Sequence, residues 1–156
     1  MERKYHTQME AARMGIVTPE LEAVCKKEKR SYEELLPLLA EGKMVIPANI
    51  NHKSLDPNGV GSMLRTKINV NLGISRDCKD YDIEMKKVMK AVELGAEAIM
   101  DLSSHGDTQP FRQKLCRECP AMIGTVPIYD SVIHYQRDLM TLTAQDFIDV
   151  IRLHAQ

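Results

Sequence analysis

Apolar and polar residues alternate with a helical period through the first part of the chain. The stretch TQMEAARMGIVTPELEAVCKKEKRSYEELLPLLAEGK is interrupted by residues that typically start and stop helices. Thr18 precedes Pro19, which suits the first turn of a helix, and Ser31 with Glu34 has the spacing of a capping box. Residues 1–43 are therefore predicted to be an N-terminal segment of three short helices.

The pattern changes after a predicted strand at residues 44–48 and a predicted loop at 49–61. Short runs rich in β-branched residues then alternate with amphipathic segments of helical period. Strands are predicted at 66–73, 98–103 and 122–130, and helices at 80–96, 108–119 and 143–155. Regular alternation of strand and helix is typical of βαβ units in a parallel sheet, so the predicted fold class is α/β.

Asn71, Met100 and Tyr129 each lie near the predicted carboxyl end of a strand, and neighbours in this series are 29 residues apart. Such a spacing fits one βα unit. In α/β folds, ligands bind where the carboxyl ends of the strands meet. The polar sequence DLSSHGD at 101–107 follows the second of these strands, which favours a ligand site there.

Chain length limits how many such units the sequence can form. Eight units of this size need roughly 230 residues, whereas the whole chain has 156. Residues 44–156 are therefore expected to form about three units of a partial (β/α)8 barrel, either as an open sheet or as the front of a larger protein. Because the inner face of an open sheet is uncovered, the isolated chain is expected to be poorly soluble or to self-associate.

Composition and charge argue against several kinds of partner. The formal net charge is −1, from 21 basic and 22 acidic residues, which gives no reason to expect nucleic acid or a membrane surface as partner. The first residues, MERKYHTQME, lack the apolar core of a signal peptide, and no apolar run approaches the ~20 residues of a membrane span. We therefore expect a cytoplasmic protein whose four cysteines are reduced.

Several polar residues allow two interpretations. Cys116 and Cys119 have a spacing seen in metal and redox motifs, but a cluster or structural zinc site needs three or four ligands, which favours two ordinary thiols at a helix end. His105 is more typical of a solvated loop than of a catalytic group. Asn51 and His52 either line a cleft or form a turn.

The three strand-end residues also have plain structural interpretations. Asn71 can satisfy backbone groups, Met100 can fill a gap in the core, and Tyr129 can be a core ring with its hydroxyl at the rim. Their shared position at strand ends makes ligand contact the alternative interpretation. An amide can then bond the edge of a heterocycle, a thioether can pack on its face, and a phenol can bond a phosphate or a ring nitrogen.

Four blocks of sequence carry a resemblance to one known family. The blocks VIPANINH (45–52), KINVNLG (67–73), AIMDLSS (98–104) and IGTVPIYD (123–130) closely resemble the phosphomethylpyrimidine synthases, the ThiC proteins of thiamine biosynthesis. TQMEAARMGIVTPELE (7–22) resembles their N-terminal helix. Four blocks in the family's order are far more specific than any one of them. The related 5-hydroxybenzimidazole synthase of anaerobic cobamide synthesis has the same blocks and the same substrate.

The resemblance implies a (β/α)8 barrel that binds aminoimidazole ribotide and rearranges it into hydroxymethylpyrimidine phosphate. It implies a radical SAM carbon–carbon lyase that uses S-adenosylmethionine, a [4Fe-4S] cluster and a divalent metal such as zinc, and whose full-length form is a homodimer. In the family's motifs, the second Asn of N-x-N, the Met before DLS and the Tyr after VPI contact the substrate. These match Asn71, Met100 and Tyr129.

The resemblance also indicates what this chain is expected to lack. The family's next substrate-binding histidine, its phosphate- and ribose-binding motifs, its two metal-binding histidines and its C-x-x-C-x4-C cluster motif all come later than Gln156. The chain is therefore expected to be about the first third of such an enzyme, to bind none of its cofactors and to be inactive alone. Its expected partner is the missing C-terminal part or a second copy. The alternatives are the same portion of a 5-hydroxybenzimidazole synthase, or a non-catalytic binding or assembly module completed by a second polypeptide.

Overall fold

The computed structural model of the protein describes residues 4–155. The chain divides into two compact units, each with its own buried cluster. The first combines the chain up to Ala48 with Leu55–Lys67, and the second combines Asn49–Ser54 with the chain from Ile68 onward. Of the helices in the described range, none is long and apolar enough to cross a membrane.

Three short helices form most of the first unit, as the sequence predicts. They are α1 Gln8–Arg13, α2 Pro19–Glu28 and α3 Tyr32–Ala40. Thr18 accepts a hydrogen bond from the amide of Leu21, and Ser31 forms a reciprocal capping box with Glu34. Both predicted caps are confirmed. Each side-chain oxygen accepts a hydrogen bond from an amide that has no partner inside its helix.

A two-stranded antiparallel hairpin follows, in place of the single longer strand predicted at 44–48. β1 Met44–Val45 pairs with β2 Val60–Gly61, so the prediction that all of 49–61 is loop was wrong at its end. Gly61 permits this close pairing, because its φ is 138° and a Cβ there would lie 2.5 Å from the carbonyl oxygen of Lys43. The core of the unit consists mainly of Leu21, Val24, Leu35, Leu39 and Met44.

The second unit is built on a three-stranded parallel sheet. Its strands are β3 Asn69–Leu72, β4 Ala98–Asp101 and β5 Met122–Thr125, connected by α4 Tyr81–Glu93 and α5 Gln109–Glu118. α6 Pro127–Tyr135, a 3-10 turn at Leu139–Thr141 and α7 Ala144–Ala155 complete it. The strand order is β3-β4-β5 with both pairs parallel, which confirms the α/β class; residues 4–155 form no closed barrel.

The two faces of this sheet differ in cover. Ile99 is fully buried and packs in one cluster with Phe111 of α5 and Val88 of α4, so the helices cover its face. Successive strand residues point to opposite faces, so Met100 lies on the other face. We call that second face the open face and define it by Asn69, Asn71, Met100 and Gly124.

The strand predicted at 122–130 is too long. β5 ends at Thr125, and α6 begins at Pro127. Proline has no amide hydrogen to give to a strand ladder, but it loses nothing at the first position of a helix. Tyr129 therefore lies in the first turn of α6 and not at a strand end.

The 29-residue spacing predicted from the sequence holds only once in the sheet. Asn71 and Met100 are direct register partners on β3 and β4. Met100 then pairs with Gly124 on β5, so Tyr129 lies five positions past the register. The equal spacing of the third residue was a coincidence of loop and helix length.

Candidate functional site

Asn71 and Met100 lie side by side on the open face. They are Cα partners on parallel strands, and each is one residue short of the end of its strand. Asn71 is exposed and Met100 is half-buried. The structure thus brings these two predicted residues together at the carboxyl edge of the sheet, while their contact with a ligand stays a prediction.

Gly124 continues this row on β5 and makes room for Met100. A Cβ at residue 124 would lie 2.7 Å from Cε and 2.9 Å from Sδ of Met100. The thioether therefore occupies the space that any side chain at residue 124 would fill. The row offers an amide on β3 and a soft apolar group that covers β4 and β5, which suits the edge and face of a planar ligand.

Tyr129 belongs to a helix rather than to this row. Its side chain is 49% exposed, in the first turn of α6. The amino end of α6 has no side-chain cap, because Val126 stands at that position. The position of Tyr129 must therefore be fixed by other contacts of the same turn.

Asp130, the next residue, supplies those contacts. Its Oδ1 accepts a hydrogen bond from the hydroxyl of Thr108 at 2.6 Å, and its Oδ2 accepts one from Nε2 of His154 at 2.9 Å. Arg112 forms an ion pair with Oδ2 at 2.9 Å. We call Thr108, Arg112, Asp130 and His154 the Asp130 clamp. The clamp joins α5, α6 and α7, and it fixes the turn that carries Tyr129.

The clamp keeps Asp130 ionised. Burial opposes ionisation of this carboxyl, but the hydrogen bonds from His154 and Thr108 and the charge of Arg112 outweigh it and lower the pKa of Asp130 from 3.8 to about 2. His154 uses both ring nitrogens, because its Nδ1 lies 2.9 Å from the hydroxyl of Thr125 at the end of β5. The clamp therefore also ties α7 to the sheet.

A cleft of about 620 Å³ opens beside the clamp. Thr108, Arg112 and Asp130 line it, together with His105. Asn71, Met100 and Tyr129 are not among its lining residues. Its volume suits a small ligand, but Arg112 and Asp130 are already paired with each other. The cleft alone therefore defines no chemistry.

The polar cluster after β4 is partly structural. Asp101 is 3% exposed and accepts hydrogen bonds from the amide of Ser103, at 3.0 Å, and from its hydroxyl. Burial raises the pKa of Asp101 above its usual 3.8, and the Ser103 bonds only partly oppose this. Ser103 Oγ in turn accepts from the amide of Ile74 at 3.0 Å. These two members of the 101–107 segment join two strand ends, while a ligand site at this segment stays a prediction.

His52 and Asn51 are explained by local structure. Nε2 of His52 lies 2.6 Å from the carbonyl oxygen of Cys119, and the hydroxyl of Ser54 donates to the same oxygen at 2.8 Å. His52 is 7% exposed, so its hydrogen bond to Cys119 is a buried structural contact. The amide of Asn51 donates to the side chain of Asn49 at 2.9 Å, which fits the turn, one of the two interpretations that the sequence allows.

The cysteines of this chain do not fit an iron–sulfur cluster. Cys116 lies in the last turn of α5 and Cys119 caps its end, and burial raises the pKa of both thiols. Cluster ligands are thiolates, usually four of them. Within residues 4–155, no group of three His, Cys, Asp or Glu side chains is arranged to hold a metal ion.

Sequence reasoning missed the Asp130 clamp. Its members lie on three helices and share no local spacing beyond Thr108 and Arg112, which are one helical turn apart. Two signals pointed to it. Asp130 interrupts the apolar run of PIYDSVI, and His154 lies one helical turn after the buried Val150 of α7. A charged or polar group on an apolar helical face usually has a buried partner.

Fold and site together define an α/β protein with a row of Asn71, Met100 and Gly124 near the carboxyl ends of parallel strands. Its sequence matches the model of the radical SAM ThiC family over residues 7–156. The chain therefore belongs to the radical SAM ThiC family.

Named relatives agree with this assignment. The chain is 59% identical over 153 residues to the phosphomethylpyrimidine synthase of Alkaliphilus oremlandii, a match that covers 98% of this chain and 35% of that protein. It is 55% identical over 152 residues to the phosphomethylpyrimidine synthase of Clostridium botulinum strain Hall, covering 97% of this chain and 35% of the relative. The chain thus spans about a third of the length of the curated relatives it matches.

Proposed function

We propose that this chain supplies the first substrate-facing strand ends of a phosphomethylpyrimidine synthase in thiamine biosynthesis. The enzyme as a whole converts aminoimidazole ribotide into hydroxymethylpyrimidine phosphate. The single observation that carries this proposal is the register pairing of Asn71 with Met100 on the open face, at the carboxyl ends of adjacent parallel strands. Membership of the family supports it.

Asn71, Met100 and Tyr129 are the proposed substrate contacts. Asn71 bonds the ligand edge, Met100 packs on the ring, and Tyr129 bonds a polar atom of the ligand from the first turn of α6. The Asp130 clamp supports the third role, because it fixes that turn in a buried and fully paired arrangement.

In the same proposal, residues 44–156 are the first βα units of a (β/α)8 barrel. Barrel strands follow one another in chain order and are all parallel, as β3, β4 and β5 are. S-adenosylmethionine and the [4Fe-4S] cluster then belong to the other two thirds of the enzyme, and the chain alone is expected to bind the ribotide without turning it over. The named relatives favour the pyrimidine product over the benzimidazole one.

Calorimetric titration of aminoimidazole ribotide into the 156-residue chain tests the contacts. We expect saturable heat for the wild type, and affinity at least about tenfold weaker for Asn71→Ala. Gln145→Ala, on the exposed side of α7, is the matched control and is expected to bind like the wild type. A folded wild-type chain that gives no heat would contradict binding by this chain alone.

A chimera tests the activity separately. The chain replaces the matching 153 residues of the Alkaliphilus oremlandii relative. We expect radical-dependent turnover by the chimera, and a lower kcat/KM when it carries Asn71→Ala or Tyr129→Phe. Full activity of both variants would overturn the proposed contacts, and ribotide binding without any turnover would favour the non-catalytic module.

A further inference from the structure

The orientation of the Asn71 amide is set by a neighbour on the same strand. Asn69 and Asn71 are two residues apart on β3, so both side chains lie on the open face. Nδ2 of Asn69 donates a hydrogen bond to Oδ1 of Asn71 at 2.9 Å. The oxygen of the Asn71 amide is thus engaged on the strand.

An asparagine amide has one acceptor oxygen and two donor hydrogens on its nitrogen. With its oxygen turned towards Asn69 and one of its two lone pairs engaged there, the NH2 group of Asn71 is the part of the amide left for a ligand to meet. Within residues 4–155, no protein acceptor takes these hydrogens. Both residues are exposed on the open face, so a ligand lying against the face would meet this donor.

We infer that Asn69 is a positioning residue that makes Asn71 a hydrogen-bond donor to the ligand. The inference rests on the proposed function and deepens it, because it states which atoms of the ribotide face β3. Those atoms are acceptors: the unprotonated ring nitrogen or an oxygen of the ribose or phosphate. The exocyclic amino group of the ring is a donor and faces away from Asn71.

Two isosteric substitutions distinguish the two possible orientations of the Asn71 amide, because the expected change in ribotide affinity differs in direction between the two orientations. Asn69→Asp replaces the donor by an acceptor, so the Asn71 amide must turn and donate to residue 69, which leaves its oxygen facing the ligand. Asn71→Asp removes the donor outright. If Asn71 donates to the ligand, both variants weaken binding; if it accepts from the amino group, both bind as well as the wild type or better.

Titration of aminoimidazole ribotide into the chain and KM in the chimera are the readouts. We expect a loss of about tenfold or more for both Asp variants and a smaller loss for Asn69→Ala, which frees the amide without reversing it. Each titration is repeated in about 0.5 M salt, because repulsion between a new carboxylate and the phosphate is screened there and a reversed amide is not. Asn69→Asp and Asn69→Ala should melt like the wild type, since the side chain is exposed.

A spectroscopic measurement separates positioning from a structural effect. The side-chain NH2 resonance of Asn71, assigned by its absence in Asn71→Asp, is expected to shift on ribotide addition in the wild type and not in Asn69→Asp. Wild-type binding with unchanged affinity in Asn69→Asp, or a loss that disappears in salt, overturns the inference and leaves the proposed function standing. A chain and a chimera that both fail to bind the ribotide overturn the proposed function and the inference with it.

Discussion

Met100 lies across Gly124, its register partner on the neighbouring strand, so closely that a Cβ at residue 124 would be 2.7 Å from the methionine Cε. Parallel strands about 4.8 Å apart normally carry two side chains side by side. Here β5 has no side chain at Gly124, and the Met100 side chain of β4 occupies the space of both. The position of the thioether on the open face therefore depends on the absence of a side chain at residue 124.

Gly124→Ala is expected to displace the Met100 side chain and to destabilise the chain by about 1–3 kcal/mol, the usual cost of overpacking. Ribotide binding should weaken with it. Met100→Ala in the same background removes the clash, so a double-mutant cycle by urea unfolding should be strongly non-additive. Additive effects would mean that residues 100 and 124 do not share this space.

The Asp130 clamp predicts a pH dependence of stability. The folded pKa of Asp130, about 2, lies below its ordinary value of 3.8, so the ionised carboxylate stabilises the folded chain. This contribution, about 2 kcal/mol, is fully present above pH 3.8 and is lost as the pH falls towards 2. Asn at residue 130 cannot ionise, so the stability difference between the wild type and Asp130→Asn should shrink across that window.

Urea unfolding at several pH values between 2 and 5 measures this difference. Asp77→Asn, at an exposed loop position, is the matched control. Equal pH slopes for the wild type and Asp130→Asn would show that the clamp does not hold the carboxylate as described. The binding assay should also respond, because Asp130→Asn loosens the turn that carries Tyr129.

Two glycines at positive φ differ in how closely other atoms approach them. Gly73 and Gly106 both have positive φ, 142° and 73°, but a Cβ at Gly73 would lie 2.5 Å from the amide nitrogen of Ser103, whereas one at Gly106 meets nothing within 4 Å. Gly106→Ala should cost about 1 kcal/mol. Gly73→Ala should lower the free energy of unfolding by about 3 kcal/mol or more, because the added Cβ pushes Ser103 away from Gly73, where the ends of two strands meet. Equal melting shifts for the two variants would contradict the close approach.

Local chemistry explains why part of this fold was predictable. The caps at Thr18 and Ser31 are encoded within four residues of sequence, and both are present in the structure. The parallel sheet follows from the alternation of periods, which needs only a window of some fifteen residues. The family blocks added the expected ligand contacts, which no periodicity contains.

Long-range and three-dimensional features were not predictable in the same way. Pro127 lies in a run of residues with high strand propensity, so the sequence predicts strand where α6 begins. Tyr129 is therefore predicted at a strand-end register that it does not occupy. Asp130 and His154 are 24 residues apart and meet only when α6 packs on α7. The space above Gly124 depends on strand register, which single-sequence patterns do not fix.

The free edge of the sheet at β3 favours self-association of the chain. β3 is one of the two outer strands of the sheet, and no described strand pairs with its other side. An apolar groove lies beside it, formed by β3 and α4, in which Ile68 is 59% and Leu94 is 74% exposed. Free strand edges and contiguous exposed apolar side chains favour association between chains. We therefore expect the chain to self-associate through this groove.

Light scattering over a range of concentrations tests that association. Leu94→Glu places a charge in the groove and should shift the chain towards monomer. Met140 is even more exposed, at 89%, but lies in the 3-10 turn and does not line the groove, so Met140→Glu is the matched control and should leave association unchanged. A wild-type chain that stays monomeric at all concentrations would contradict the prediction, as would equal effects of the two variants, because exposure alone would then explain them.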